Sequence, residues 1–153
     1  MIERLGVAAQ RFLAGETFDP DRFQIEAIEA VERGASVVVT APTGSGKTLI
    51  AEAAIEVALA AGKRAFYTTP IKALSNQKYR DLVDRYGESG TGLLTGDNSL
   101  NGEAPVVVMT TEVLRNMIYA GSGALDGLGV VILDEVHYLQ DRYRGSVWEE
   151  TII

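Results

Sequence analysis

A β-branched run that enters a glycine-rich turn constrains this chain more than any other feature. Residues 36–40 read Ser-Val-Val-Val-Thr, and the turn that follows contains Gly44 and Gly46 ahead of Lys47 and Thr48. Glycine lacks Cβ, so the backbone of such a turn can adopt positive φ and direct successive N–H groups at an anion, beside the positive end of a following helix. The pattern predicts a strand, a phosphate-binding loop and a helix in that order.

The side chains of this loop have separate predicted roles. Lys47 is placed to reach the β- and γ-phosphates of a nucleotide, and the Thr48 hydroxyl is placed to ligate Mg²⁺. The loop departs from the strict pattern G-x-x-x-x-G-K-[ST] at its first position, where Ala41 replaces glycine. The residues predicted to bind the nucleotide phosphates are Pro42, Thr43, Gly44, Ser45, Gly46, Lys47 and Thr48.

Two residues shortly before the loop are candidates for adenine recognition. Phe18 offers an aromatic face for stacking, and the Gln24 amide offers both a donor and an acceptor. The alternative is structural, with Phe18 in the core at a helix entrance and Gln24 in solvent. The helix that follows is predicted to begin at Asp19-Pro20, with Asp19 as its N-cap, and to end at Gly34.

Composition places only broad bounds on function. The chain has 153 residues, of which 46% are hydrophobic and 23% charged, as is ordinary for one globular domain with a sizeable core. It has no cysteine, which excludes a disulfide framework and a thiolate metal site. With neither a signal peptide nor a long apolar run, we expect a soluble, cytoplasmic protein with no membrane partner. The net charge of -7 argues against non-specific attraction to nucleic acid, so any such binding depends on local residues.

The rest of the chain alternates strand-like and helical segments. Helices are predicted up to Gly15 and from Lys47 to about Gly62, and further along at residues 71–86 and 112–120. Strands are predicted at residues 64–68, 91–94, 106–109 and 130–133. Strands that read as short apolar runs indicate a parallel sheet with helices on both faces, and thus an α/β fold.

A polar turn follows each predicted strand. These turns are residues 42–48, Thr68-Thr69-Pro70, Thr95-Gly96-Asp97, Thr110-Thr111-Glu112 and Asp134-Glu135-Val136-His137. Any one of them alone would be interpreted as a helix cap or a loop. Because ligands bind at the carboxyl edge of open α/β sheets, their shared position favours a functional site.

Two adjacent carboxylates at the end of the last predicted strand can divide the work of hydrolysis. Asp134 is predicted to hold Mg²⁺, and Glu135 to accept a proton from the water that attacks the γ-phosphate. Lys47, Asp134 and Glu135 are therefore the predicted catalytic residues. His137 is the single histidine of the chain. A lone histidine is usually structural or on the surface, but here we favour a role in coupling nucleotide state to the rest of the protein.

Several motifs together resemble superfamily 2 DExH-box helicases of the Ski-like RNA helicase group. They are Ala41 to Thr48, Thr69 to Lys78, Asp134 to His137, and the tail from Arg144 to Ile152. The likeness extends from Phe18 to the last residue, and the tail is its most specific part. It implies a RecA-like P-loop fold, ATP and Mg²⁺ as cofactors, and separation of RNA strands as the activity. It also favours the adenine role of Phe18 and Gln24.

The resemblance further implies a nucleic-acid interface and a division of the chain. Residues 1–35 match N-terminal helices with the adenine segment, and residues 36–153 match a RecA-like ATP-binding domain. The final Ser-Ala-Thr motif of that domain and a second RecA-like domain are expected beyond Ile153, so residues 1–153 alone should bind nucleotide but hardly hydrolyse it. Arg142, Arg144 and Trp148 match the tail without an assigned role. The residues that match the nucleic-acid contacts of the family are Pro70, Lys72, Ala73, Thr95, Gly96, Asp97, Thr110, Thr111 and Arg115.

Two other functions stay open. A DNA-directed helicase of the same superfamily would share the phosphate loop and the carboxylates. A non-motor ATP-binding switch or docking module would need the loop but not the threonine-rich turns.

Overall fold

The computed structural model describes residues 1–17, 19–40 and 46–135. The chain divides into two compact units, Met1–Gly62 and Lys63–Ile153. Over the described ranges, none of the helices combines the length and the apolarity that crossing a membrane requires. The predicted division into residues 1–35 and 36–153 remains a prediction.

The first unit is helical. Its elements are a 3-10 turn at Ile2–Arg4, α1 at Val7–Ala14, α2 at Arg22–Glu32 and α3 at Lys47–Ala60. Apolar side chains at helical spacing face a common core, which includes Leu5, Ala9, Phe12, Leu13, Ile25, Ile28, Leu49 and Ala53. The predicted helices before Gly15 and after Lys47 are therefore confirmed.

The predicted strand at residues 36–40 is wrong for this structure. These residues have no regular secondary structure, and Val38 is 88% exposed. A β-branched run gains stability from a paired neighbour and from side chains packed against it. The sheet formed by the described residues does not include residues 36–40, so the run lacks such a neighbour in this structure.

The start of α2 also differs from the prediction. The helix begins at Arg22 with Asp21 as its N-cap, so Asp19-Pro20 precedes it. Asp21 and Gln24 form a capping box, in which the Gln24 side chain accepts a hydrogen bond from the Asp21 N–H at 2.7 Å. The box satisfies two N–H groups, whereas a cap at Asp19 would satisfy one, and this accounts for the later start.

The second unit is an α/β sheet domain. Its elements are β1 at Arg64–Thr69, α4 at Lys72–Tyr86, β2 at Thr91–Leu94, β3 at Ser99–Leu100, β4 at Val106–Thr110, α5 at Thr111–Ala120, a 3-10 turn at Gly123–Leu125 and β5 at Leu128–Leu133. The described strands form one five-stranded sheet in the order β3-β2-β4-β1-β5. β1, β2, β4 and β5 are parallel, and the two-residue β3, which the sequence does not predict, is antiparallel to β2.

Helices α4 and α5 cover opposite faces of this sheet. The β1-α4-β2 and β4-α5-β5 connections cross the sheet in opposite directions, and right-handed crossovers then place their helices on opposite faces. Phe66 shares an apolar cluster with Leu114 of α5, whereas Lys78 of α4 lies 4.8 Å from the ring centroid of the adjacent Tyr67. Neighbouring residues of a strand point to opposite faces. The predicted parallel α/β sheet with helices on both faces is thus confirmed.

Candidate functional site

The amino end of α3 carries the described part of the predicted phosphate loop. Gly46 is the N-cap, with a φ of 90° in the left-handed region that glycine adopts at low cost. Lys47 and Thr48 begin the helix, and both are exposed. The first turn has no acidic side chain, so the positive helix end is not neutralised from within and suits an anion. Pro42, Thr43, Gly44 and Ser45 lie outside the described residues.

Gln24 belongs to the interior of the first unit. It is 2% exposed, and its Nε2 donates a hydrogen bond to the Gly46 carbonyl at 3.0 Å. The positive φ favours glycine at position 46, and a Cβ there would also collide with Nε2 of Gln24, which would have to shift. The alternative that places Gln24 in solvent is therefore wrong. An amide has two N–H groups and two acceptor lone pairs, so the bonds to Asp21 and Gly46 leave capacity for a base. Phe18 lies outside the described residues.

In the second unit, the predicted polar turns follow the carboxyl ends of parallel strands. The Thr111 hydroxyl, after β4, donates a hydrogen bond to the Thr69 carbonyl of β1 at 3.3 Å. The Asp134 N–H, after β5, donates to the Thr68 carbonyl of β1 at 3.0 Å. The structure therefore brings the turns after β1, β4 and β5 together at one edge.

The Asp134 carboxylate is held from two sides. Its Oδ2 accepts a hydrogen bond from the Tyr67 hydroxyl at 2.5 Å, and its Oδ1 accepts one from the Glu135 N–H at 2.8 Å. Glu135 has a φ of 61°, a left-handed conformation that costs energy in a non-glycine residue and that clusters at functional sites. Sequence reasoning does not single out Tyr67, because only the parallel pairing of β1 with β5 brings its hydroxyl to Asp134.

The turn after β2 is tied to the start of α4. Lys72 Nζ donates a hydrogen bond to Asp97 Oδ2 at 2.5 Å, and Thr95 Oγ1 donates one to Asp97 Oδ1 at 3.1 Å. The side chains of Lys72 and Asp97 are 49% and 65% exposed. These hydrogen bonds hold the pKa of Asp97 below its ordinary value of 3.8, and the bond from Lys72 lowers this pKa more than the bond from Thr95. Two predicted nucleic-acid residues thus neutralise each other in this structure.

The other predicted nucleic-acid residues differ in accessibility. Thr110 acts as the N-cap of α5 by accepting a hydrogen bond from the Val113 N–H at 3.4 Å. Arg115 forms an ion pair with Glu112, with 3.8 Å between Nη2 and Oε1. The threonine hydroxyls at this edge therefore shape the turns. The buried members of the predicted set are Pro70, Thr95, Thr110 and Thr111, and the exposed or half-buried members are Lys72, Ala73, Gly96, Asp97 and Arg115.

The donor chemistry fits magnesium that arrives with a nucleotide. Among residues 1–17, 19–40 and 46–135, there is no group of three or more histidine or carboxylate side chains placed to hold a metal ion. Mg²⁺ is commonly held by one or two carboxylates together with substrate phosphates and water. The Thr48 hydroxyl and the Asp134 carboxylate are hard oxygen donors of this kind. His137, Arg142, Arg144 and Trp148 lie outside the described residues.

Comparisons with known proteins place these motifs among helicases. A family model described as DEAD/DEAH box helicase matches residues 21–153. The chain is 63% identical over 143 residues to the probable helicase HelY of Mycobacterium tuberculosis (strain ATCC 25618 / H37Rv), a match that covers 94% of this chain and 16% of that protein. It is 57% identical over 142 residues to the chloroplastic DExH-box ATP-dependent RNA helicase DExH15 of Arabidopsis thaliana, a match that covers 89% of this chain and 12% of that protein.

A solved structure shares the fold. The crystal structure of the DUF1998 helicase MrfA bound to DNA and AMPPNP superposes with a TM-score of 0.77 at 24% sequence identity. The match covers 98% of this chain and 24% of that chain. At this level of identity the likeness concerns the fold alone.

Proposed function

Because the chain belongs to the DEAD/DEAH box helicase family, we propose that it is the nucleotide-binding and nucleotide-hydrolysing part of an ATP-dependent RNA helicase. The predicted resemblance to Ski-like DExH-box helicases is confirmed by its relatives. The observation that carries the proposal is the meeting of polar turns at the carboxyl ends of β1, β4 and β5, with Asp134 and Glu135 directly after β5.

The nucleotide is proposed to bind at the amino end of α3. Backbone N–H groups of residues 42–46 would cradle the phosphates, and Lys47 would place its charge on the β- and γ-phosphates. The exposure of Lys47 and the left-handed φ of Gly46 support this assignment. Gln24 would use its remaining amide capacity on adenine, with Phe18 stacked on the base.

Hydrolysis is proposed to depend on the carboxylates after β5. Thr48 and Asp134 would hold Mg²⁺, which when bound neutralises developing phosphate charge. Glu135 would accept a proton from the attacking water. The hydrogen bonds from Tyr67 and from the Glu135 N–H hold the Asp134 carboxylate in one orientation. Such preorganisation avoids reorientation during the reaction.

RNA is proposed to bind along the carboxyl edge of the sheet. The exposed residues Lys72, Ala73 and Gly96 would contact phosphate and sugar together with the half-buried Arg115, and these groups carry no sequence information directly. The support for RNA is the 57% identity to DExH15, named as an RNA helicase. A second RecA-like domain elsewhere in the protein would supply the rest of the nucleic-acid track, and His137 would couple nucleotide state to it. A cytoplasmic location also remains a prediction.

The test is ATP hydrolysis by the full-length protein with single-stranded RNA and with single-stranded DNA of the same sequence. We expect RNA to stimulate hydrolysis more than DNA, and Lys47→Ala to weaken nucleotide binding, because it deletes a charge that faces the phosphates. Lys63→Ala, which removes an exposed lysine just after α3, is the matched control and should bind normally. Equal or greater stimulation by DNA would favour a DNA-directed helicase. ATP binding without nucleic-acid stimulation would favour a non-motor switch.

A further inference from the structure

Lys72, which the proposed function assigns to nucleic-acid binding, forms an ion pair with Asp97. Both side chains are about half exposed or more, and they belong to different segments, the start of α4 and the turn after β2. Hydrogen bonds within that turn fix the carboxylate: the Thr95 N–H donates to the Asn98 carbonyl at 2.9 Å, and the buried Thr95 hydroxyl donates to Asp97. Asp97 is therefore held in front of Lys72 rather than left to move freely in solvent.

A carboxylate and a phosphate compete for the same donors. An ammonium group and a hydroxyl both bind anionic oxygens, and groups of both kinds contact Asp97. A nucleic-acid backbone also repels a carboxylate, so Asp97 is poorly suited to contact a phosphate itself. Exposed ion pairs contribute little stability, which makes the exchange of one anion for another easy.

We propose that Asp97 is an internal counter-ion, which holds Lys72 in the unbound protein and gives it up to an RNA phosphate. This inference rests on the proposed function and changes one part of the predicted interface. Asp97 acts there through Lys72 as a positioning residue, and it does not contact the nucleic acid. The pair lowers RNA affinity in exchange for an ordered Lys72 and a smaller local positive charge when RNA is absent.

A double-mutant cycle measured with fluorescently labelled single-stranded RNA and the full-length protein tests this role. Asp97→Asn keeps an acceptor for Thr95 but removes the charge that holds Lys72, so RNA should bind about two- to fivefold more tightly. Lys72→Gln should weaken binding, and Asp97→Asn should tighten binding much less in the Lys72→Gln background than alone, because only the repulsion between carboxylate and phosphate is then removed. The gain from Asp97→Asn should shrink at high salt, because salt screens exposed charges.

Asp84→Asn is the matched control, since it removes one exposed carboxylate near the other end of α4. It should leave RNA affinity unchanged. Weaker binding by Asp97→Asn would mean that Asp97 contacts RNA directly, and equal tightening in the Lys72→Gln background would mean simple repulsion. Either result overturns the counter-ion role.

RNA-stimulated ATP hydrolysis by the unmodified protein is measured alongside. If that stimulation persists while the cycle fails, only the counter-ion role is overturned. If the stimulation is absent, the proposed function itself is overturned.

Discussion

The two edges of the sheet in the second unit use their polar groups in opposite ways. At the amino edge, Arg64 donates hydrogen bonds to the carbonyls of Gly102, Ala104 and Ala124 at 2.7 to 3.1 Å. At the carboxyl edge, Lys72 bonds an exposed carboxylate. A backbone carbonyl neither titrates nor leaves, whereas a carboxylate on an exposed side chain can be replaced by another anion. Arg64 at the amino edge therefore has fixed acceptors, whereas Lys72 at the carboxyl edge has an acceptor that another anion can replace.

Arg64 shows what a fixed polar contact does. Its guanidinium lies at the first residue of β1 and binds the segments that lead into β4 and β5, while also lying 5.2 Å from the ring centroid of Phe66. A planar group with five N–H donors on three nitrogens can reach carbonyls in separate segments at once, whereas the three donors of lysine all lie on one nitrogen. One side chain therefore holds the entries to both neighbouring strands.

The largest effect is expected on ATP hydrolysis, which should depend on a carboxylate at the carboxyl edge and not on one at the amino edge. Glu135→Gln removes the proposed base, so kcat for ATP hydrolysis by the full-length protein should fall by about a hundredfold or more, with Mg-ATP still bound. Glu103→Gln makes the same change at an exposed site in the loop before β4, at the amino edge, and should leave kcat unchanged. Near-normal turnover by Glu135→Gln would remove this residue from its proposed role.

The second largest effect is expected on the free energy of unfolding, and it concerns Arg64 at the amino edge. Arg64→Met keeps the aliphatic length but leaves carbonyl groups without donors, so the free energy of unfolding should fall by about 2–4 kcal/mol. Denaturant unfolding monitored by circular dichroism measures this loss. Arg80→Met, an exposed change on α4, is the control and should cost far less. If both variants unfold alike, Arg64 does not fix the amino edge.

The importance of Glu135 can be predicted from the sequence, but that of Arg64 cannot. Glu135 follows an apolar run and belongs to a recognisable motif, so its position was predicted from local pattern alone. Arg64 is one cation at the start of a strand, and its acceptors lie 38 to 60 residues away in the sequence. Local patterns carry no information on such partners, which depend on how the strands are ordered.

The same limit explains the strand that does not form. Residues 37–39 and residues 106–108 are both Val-Val-Val. The second run lies in β4, between β2 and β1, with each valine 0% exposed, whereas Val38 is 88% exposed and belongs to no strand. Propensity identifies both runs as strand-like, but the pairing partner decides the outcome. The strands β1, β2, β4 and β5 are predictable because each also has a helix or a turn at a fitting distance, whereas the two-residue β3 is too short to leave a pattern.

A smaller effect is expected at Tyr67, whose hydroxyl holds the Asp134 carboxylate at the carboxyl edge. Tyr67→Phe keeps the ring beside Lys78 but removes the hydroxyl that donates to Asp134. One hydrogen bond to a charged group is lost, so kcat should fall on the order of tenfold. The Mg²⁺ concentration needed for half-maximal nucleotide binding should rise, because the carboxylate is less well ordered. Tyr119→Phe, at an exposed tyrosine of α5, should change neither quantity. An unchanged requirement for Mg²⁺ would show that the hydroxyl does not position Asp134.

The smallest effect is expected on the pH dependence of stability, to which the ion pair of Asp97 contributes. The Lys72 hydrogen bond, with a lesser contribution from Thr95, lowers the pKa of Asp97 below its ordinary value of 3.8. A lowered carboxyl pKa stabilises the folded state at pH values above the ordinary value, and this stabilisation is lost as the pH falls through the folded value. The unmodified protein should therefore be slightly more stable than Asp97→Asn near neutral pH, and the difference should vanish in acid. Added salt should also reduce it. The difference between the unmodified protein and Arg64→Met should depend far less on pH, because arginine stays charged and carbonyls do not titrate. Thermal unfolding of the three proteins across pH measures both differences. A difference for Asp97→Asn that grows in acid would contradict the exchangeable edge, because a protonated Asp97 resembles asparagine in charge.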